Sequence, residues 1–290
     1  MLCGPAAPFP PRRLGRTGDA ALLSRSRSHV SYVRRGIALF YWLAKFVFIG
    51  PLLHGLWRPW AEGLENIPDD RPVIIASNHL SFCDSFFMPV MVPRKVTFLA
   101  KAEYFTTPGL KGLFSRMFMS AVGQVPIDRT DADASRAALN TGVRVLKSGK
   151  VLGIYPEGTR SPDGRLYRGK TGVARMVLET GAVVVPCAMV NTAIIQPAGR
   201  RIPKLRPRPG VRFGKPLDFA RYEGMSGDRF VERSMTDEIM YELMQLSGQE
   251  YVDTSAAKVK KAMGTDTAFG ARAAAEVREL GDRVPDTRAG

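Results

Sequence analysis

From Arg71 onward the sequence alternates short apolar runs with amphipathic stretches, and this alternation restricts the fold more than any other feature. The runs at 72–76, 96–100, 151–155 and 182–190 are apolar at nearly every position, where a strand with one wet face would alternate apolar with polar. Strands of that kind are covered on both faces, the condition of a parallel sheet between helical layers. Between them, residues 133–147 place Leu139, Gly142, Val143 and Leu146 on one helical face and end at Gly149. Residues 171–180 read as a second helix closed by Gly181, glycine being the residue that most easily ends a helix. A third helix is expected from Thr236 to Leu246. The expected fold class is α/β, a single domain with a largely parallel central sheet flanked by helices.

At 290 residues the chain can bury a full core without disulfides, and 45% hydrophobic with 24% charged residues excludes wholesale disorder. Its 42 Lys and Arg against 27 Asp and Glu leave +15, which points to an anionic partner: nucleic acid, a membrane surface or a phosphorylated substrate. Cys3, Cys83 and Cys187 have no zinc-site spacing, so a reducing compartment is expected, with no metal and no cofactor.

Four segments are expected. Residues 1–35 carry seven arginines against the single acid Asp19 and form a disordered, uncleaved basic leader able to lie against anionic lipid. Residues 36–60 form a membrane-associating helical segment. Its apolar run at 37–57 just reaches the length of a bilayer core at ~1.5 Å per residue, but Lys45 lies inside it and Gly50-Pro51 interrupts it. Two short halves dipping into the interface fit better, with Trp42, Trp57 and Trp60 at headgroup level and Arg34, Arg35 and Arg58 outside; a buried core helix is the alternative. Residues 61–253 are the main domain, and 254–290 a mobile charged tail. Within the main domain, residues 199–215 hold seven Lys and Arg and no acid, broken by prolines, and read as a basic loop leading into a short strand.

Two constellations follow apolar strands, where α/β folds commonly carry their active groups. In Asn78-His79-Leu80-Ser81-Phe82-Cys83-Asp84-Ser85, an imidazole and a carboxylate five residues apart can pair, the acid fixing tautomer and orientation so that the other ring nitrogen accepts a proton. The bland reading, a capping Asp and a satisfied histidine, stands level with it. In Tyr155-Pro156-Glu157-Gly158-Thr159-Arg160-Ser161, a guanidinium and a carboxylate on one turn suit a polar, phosphorylated ligand. A surface turn with a local ion pair is the alternative. A third stretch, residues 164–171, spells the phosphate-binding expression GxxxxGK[ST]. No strand leads directly into it, so nucleotide hydrolysis is not expected.

The order NHLSFCDS, VPIDR (125–129), YPEGTRS and VVP (184–186), at these separations, resembles the four blocks of the glycerolipid acyltransferase family, most closely its 1-acylglycerol-3-phosphate acyltransferases. Tyr155 stands where Phe is usual, and Cys187 where an aliphatic residue is common. The resemblance covers roughly residues 61–253. It implies His79 as general base with Asp84 orienting it, phosphate recognition by Arg160 with Arg129, acceptor contacts from Glu157 and Gly158, and Lys101 as a further phosphate candidate. It also implies acyl transfer from acyl-CoA or acyl-carrier protein to the sn-2 hydroxyl of lysophosphatidic acid, giving phosphatidic acid. The alternatives are another lysophospholipid or lipid hydroxyl, or a covalent route through Cys83. The enzyme is expected at the cell membrane, peripheral or monotopic, with its active site on the cytoplasmic side and anionic lipid as a partner. A non-enzymatic basic module binding membranes or nucleic acid would explain the charge but neither constellation, and no aromatic stacking platform interleaves the basic runs; no nucleic-acid partner is expected.

Overall fold

A computed structural model of the chain describes residues 41–101, 103–121, 123–127, 134–197, 200 and 202–265, all within the unit Tyr41–Gly290. The expectations for residues 1–35, for Arg129 and for 266–290 lie outside these. Along the chain, α1 (Gly50–Trp57) leads through β1 (Trp60–Glu62) to β2 (Val73–Ser77), α2 (Asp84–Met91), β3 (Val96–Lys101), α3 (Glu103–Thr106), α4 (Gly109–Ala121) and β4 (Gln124–Ile127). Then come α5 (Ala134–Lys147), β5 (Val151–Ile154), β6 (Leu166–Tyr167), α6 (Gly172–Thr180), β7 (Val183–Val190), α7 (Thr192–Ile195), β8 (Gly210–Phe213), α8 (Arg229–Ser247), β9 (Tyr251–Val252) and α9 (Ala256–Thr265).

Seven strands make one sheet in the order β1, β8, β7, β2, β5, β3, β4, and only the β7–β8 pairing is antiparallel. The α/β class with a mostly parallel sheet is thus as expected. The apolar runs are continuous because both faces are covered. Ile74 and Ala76 of β2 join Leu152 and Val184 under α5, α6 and α8, while Val73 and Ile75 point the other way, to Phe87 and Met88 of α2. With β2 between β5 and β7, the segments leaving the carboxyl ends of β2 and β5 meet side by side, which puts the two constellations together.

Three expectations change. Residues 41–57 follow one helical path, and Gly50-Pro51 shifts its hydrogen-bond register without breaking it. Ala44–Ile49 is a π-helix, with the Gly50 amide donating to the Lys45 carbonyl five residues back. Pro51 has no N–H to give and its ring needs room; the wider turn supplies that room and leaves the proline in the first turn of α1, where no donor is required. Helix α8 starts at Arg229, seven residues before Thr236, because Oδ1 of Asp228 accepts the amides of Phe230 and Val231 at 2.8 and 3.2 Å. Residues 256–265, expected in a mobile tail, form α9, anchored by the buried Ala256.

The helical path at 41–57 is two-sided. Leu53 and Trp57 pack on the domain, whereas Leu43, Phe46, Val47, Phe48, Leu52 and Leu56 are exposed. Lys45 faces inward, and its ammonium donates to the Val92 carbonyl at the end of α2. Burial pulls its pKa down to about 8. Trp57 donates from Nε1 to the Lys204 carbonyl at 2.8 Å, tying α1 to the basic loop. Among the described residues, no helix is long and apolar enough to cross a membrane.

Candidate active site

Strand β2 ends in a turn that closes on itself. His79 Nδ1 lies 2.9 Å from Oδ2 of Asp84, and the same oxygen accepts the Leu80 and Ser81 amides, each at 2.8 Å. The expected pair and the bland capping role are therefore both present, performed by one carboxylate. Asp84 is fully buried while the His79 side chain keeps 16% of its exposure, so the pair has a dry end and a reachable end. With Nδ1 facing an acceptor, the imidazole proton belongs there and Nε2 carries the lone pair.

The turn is held from outside as well. Asn78 Oδ1 accepts the Met189 amide at 2.7 Å, and its Nδ2 donates to Oε1 of Gln249 at 2.6 Å, so β7 and the segment after α8 both fix the residue before the histidine. Ser81 Oγ donates to the Gln196 carbonyl at 3.1 Å.

The turn after β5 is braced against the first. The Ser161 amide donates to the His79 carbonyl at 2.7 Å, and the His79 amide to Oε1 of Glu157 at 3.3 Å. The Tyr155 ring lies flat on the imidazole, centroids 3.8 Å apart and planes 9° from parallel, and its hydroxyl meets Ser85 Oγ at 3.1 Å. Phe98 extends the stack beyond Tyr155, where Gly153 makes space: a Cβ there would sit 2.4 Å from the Phe98 ring.

Glu157, expected to contact the acceptor, is held by the backbone. It is buried, and its second oxygen accepts the Tyr167 amide at 3.0 Å, so both carboxylate oxygens are occupied by backbone. Burial raises its pKa to about 7, partly offset by those two amides. Gly158, with φ of 74°, is exposed and gives its amide to the Tyr155 carbonyl at 2.9 Å. Arg160 is exposed, and no acid of the described residues pairs with it. Lys101 ends β3 in register with Ile127 on the same carboxyl edge of the sheet.

The third constellation folds as its context required. Leu166 and Tyr167, in the middle of the GxxxxGK[ST] spelling, form β6 and pair with β9, so the stretch is strand where a phosphate-binding loop needs a turn between strand and helix. Cys83 is buried, its thiol donates to Oε1 of Gln196 at 3.0 Å, and burial pushes its pKa up to about 11, which leaves it a poor nucleophile. Among the described residues, no cluster of three or more His, Cys, Asp or Glu side chains could hold a metal ion.

The family model described as Acyltransferase matches residues 59–190, which contain the histidine turn, the glutamate turn and β7. The chain is 36% identical over 139 residues to the chloroplastic 1-acyl-sn-glycerol-3-phosphate acyltransferase LPAT1 of Arabidopsis thaliana, which takes in 48% of this chain and 37% of that protein. It is 30% identical over 130 residues to the 1-acyl-sn-glycerol-3-phosphate acyltransferase of Borreliella burgdorferi, covering 45% of this chain and 50% of that one. The chain thus spans half or less of the length of these relatives. The crystal structure of the 1-acyl-sn-glycerophosphate acyltransferase PlsC from Thermotoga maritima shares the fold, with a TM-score of 0.50 and 21% identity over 72% of this chain and 87% of that one.

Sequence reasoning did not find three residues that pack on the two turns: Gln249, Tyr155, and Lys170, whose amide donates to the Pro156 carbonyl at 2.8 Å. Gln249 carries no local signal, because its partner Asn78 is 171 residues away. Tyr155 was visible as a departure from the usual Phe. Lys170 was visible inside the rejected phosphate-loop spelling.

Proposed function

We propose that the chain moves a fatty acyl group from a thioester donor, acyl-CoA or acyl-carrier protein, to the sn-2 hydroxyl of lysophosphatidic acid, giving phosphatidic acid. The observation that carries this reading is the buried Asp84 holding the partly exposed His79, cross-braced to a turn that presents Arg160, an exposed arginine without an acidic partner among the described residues. As the hydroxyl oxygen attacks the thioester carbonyl, Nε2 of His79 takes its proton, and Asp84 stabilises the imidazolium that forms. The tetrahedral intermediate collapses by breaking the C–S bond, and the thiolate leaves with little need of an acid. Arg160 grips the acceptor's phosphate bidentately, which fixes the hydroxyl beside the imidazole. Glu157 acts by holding the two turns together. The poor nucleophilicity of Cys83 favours direct attack over a covalent acyl-enzyme.

The same reading makes the protein a peripheral or monotopic enzyme on the cytoplasmic side of the cell membrane. The exposed apolar face at 43–56 supports it, as does the net charge of +15, since basic residues near an anionic surface each contribute ~1 kcal/mol. Incubating the purified chain with a panel of lysophospholipids and both donors, and weighing the products, tests the activity. Arg160→Ala is expected to raise the acceptor KM about tenfold or more; an unchanged KM removes the arginine from the site.

A further inference from the structure

Lys170 is spelled as the lysine of a nucleotide loop and folded as something else. Its amide donates to the Pro156 carbonyl at 2.8 Å, which fastens it to the turn that carries Arg160. Its side chain then lies over Gly158: a Cβ on that glycine would sit 2.8 Å from both Cε and Nζ of the lysine. The neighbouring cations are all engaged, Arg165 with Asp163 at 2.7 Å, Arg168 with Asp253 at 3.4 Å and Arg175 with Glu232 at 2.8 Å. Lys170 and Arg160 are exposed, and neither side chain has an acidic partner among the described residues. Arg160 on this turn and Lys170 packed over it are thus two exposed cations without an acidic partner among the described residues, in a stretch, 160–175, where Arg165, Arg168 and Arg175 are neutralised.

We infer that Lys170 joins Arg160 in a two-cation clamp and selects acceptors bearing a phosphate monoester over those bearing a diester; this rests on the proposed acyl transfer. The chemistry discriminates by counting oxygens and charges. A monoester has three terminal oxygens and gains most of a second negative charge above its second pKa of about 6. The planar guanidinium forks onto two of those oxygens, and the compact ammonium serves the third. A diester has two terminal oxygens and one charge, and Arg160 alone satisfies it.

The test compares wild type with Lys170→Gln in the full chain, with Lys215→Gln, an exposed basic residue outside the clamp, as a charge control. Acceptors are lysophosphatidic acid and lysophosphatidylglycerol at a fixed saturating donor concentration. Lys170→Gln is expected to lose about tenfold or more in kcat/KM on the monoester, chiefly through KM, and less than about threefold on the diester. The strengthening of monoester binding as pH rises through about 6 should flatten in the variant, and Lys170→Arg should restore part of the preference. Equal losses on both acceptors, or no loss, overturn the inference. Calorimetric binding of glycerol 3-phosphate gives a readout independent of turnover, with the Kd expected to weaken about tenfold in Lys170→Gln. If wild type acylates no lysophospholipid, the functional reading fails while this binding still judges the clamp; absence of binding by wild type removes the clamp itself.

Discussion

The turns leaving β2 and β5 use their polar atoms differently. In the first, Asn78 is bonded at both ends of its amide and Asp84 Oδ2 collects three donors. In the second, Glu157 is fully occupied by two backbone amides, yet Arg160 and Lys170 stand exposed, with no acidic partner among the described residues. A proton acceptor works only in a narrow range of orientations, so its neighbours must leave it no other rotamer. A site for an anion needs the opposite, cations that stay solvated until a ligand arrives and that no local acid has already neutralised. One turn has its polar side chains held by neighbours; the other is held at its root and open at its tip.

The contrast yields four predictions. His79→Ala should cut kcat by ~10²–10⁴ with the fold intact, measured as initial rates at saturating substrates; near-normal turnover would remove the base and leave the first turn merely structural. Asp84→Ala strands two buried amides as well as the imidazole, so a loss of ~2–4 kcal/mol in denaturant unfolding should accompany its loss of activity. If activity falls while stability holds, the carboxylate is not the keystone of that turn.

Glu157 sharpens the comparison through pH. Burial raises its folded-state pKa from the ordinary 4.5 to about 7, so the folded protein holds this proton over a range in which the unfolded chain has lost it. Its contribution to stability is full below 4.5 and declines as pH rises through about 7. Glu157→Gln should flatten that decline, and the single carbonyl of glutamine leaves one of the two amides without its acceptor, costing ~1–2 kcal/mol. An unaltered slope between those pH values would mean that Glu157 titrates normally and does not hold the turns together in the way described. The smallest effect belongs to Cys83→Ala, expected to keep turnover within about threefold, because a buried, protonated thiol does no chemistry here. Abolished turnover in a folded Cys83→Ala protein would replace direct attack by a covalent route.

Much of the fold was legible because its signals are local. Apolar runs marked β2, β5 and β7, and Gly181 marked the end of α6 with its left-handed φ of 64°. The start of α8 was also locally signalled, by the capping Asp228, but the mixed composition of residues 229–235 hid it. Lys45 argued against a span, and no described helix is long and apolar enough to cross a membrane, but its burial had no local signal. A charge within an apolar run argues against burial; the Val92 carbonyl, 47 residues away, and the nearby Trp42 and Phe46 rings together accommodate the ammonium.

By itself the sequence determined the parallel sheet and put His79 and Asp84 within reach of each other, since strand patterning and a five-residue separation across one turn need no knowledge of distant chain; that they pair is seen in the structure. The tertiary structure decided that Glu157 braces the two turns and that Lys170 lies over Gly158. Glu157 meets the His79 amide across 78 residues, and Asn78 meets Met189 across 111, contacts that exist only because β2 lies between β5 and β7. A pattern of residue types encodes which segments become strands; which loops then face one another depends on the order in which the sheet assembles them, and no local periodicity records that.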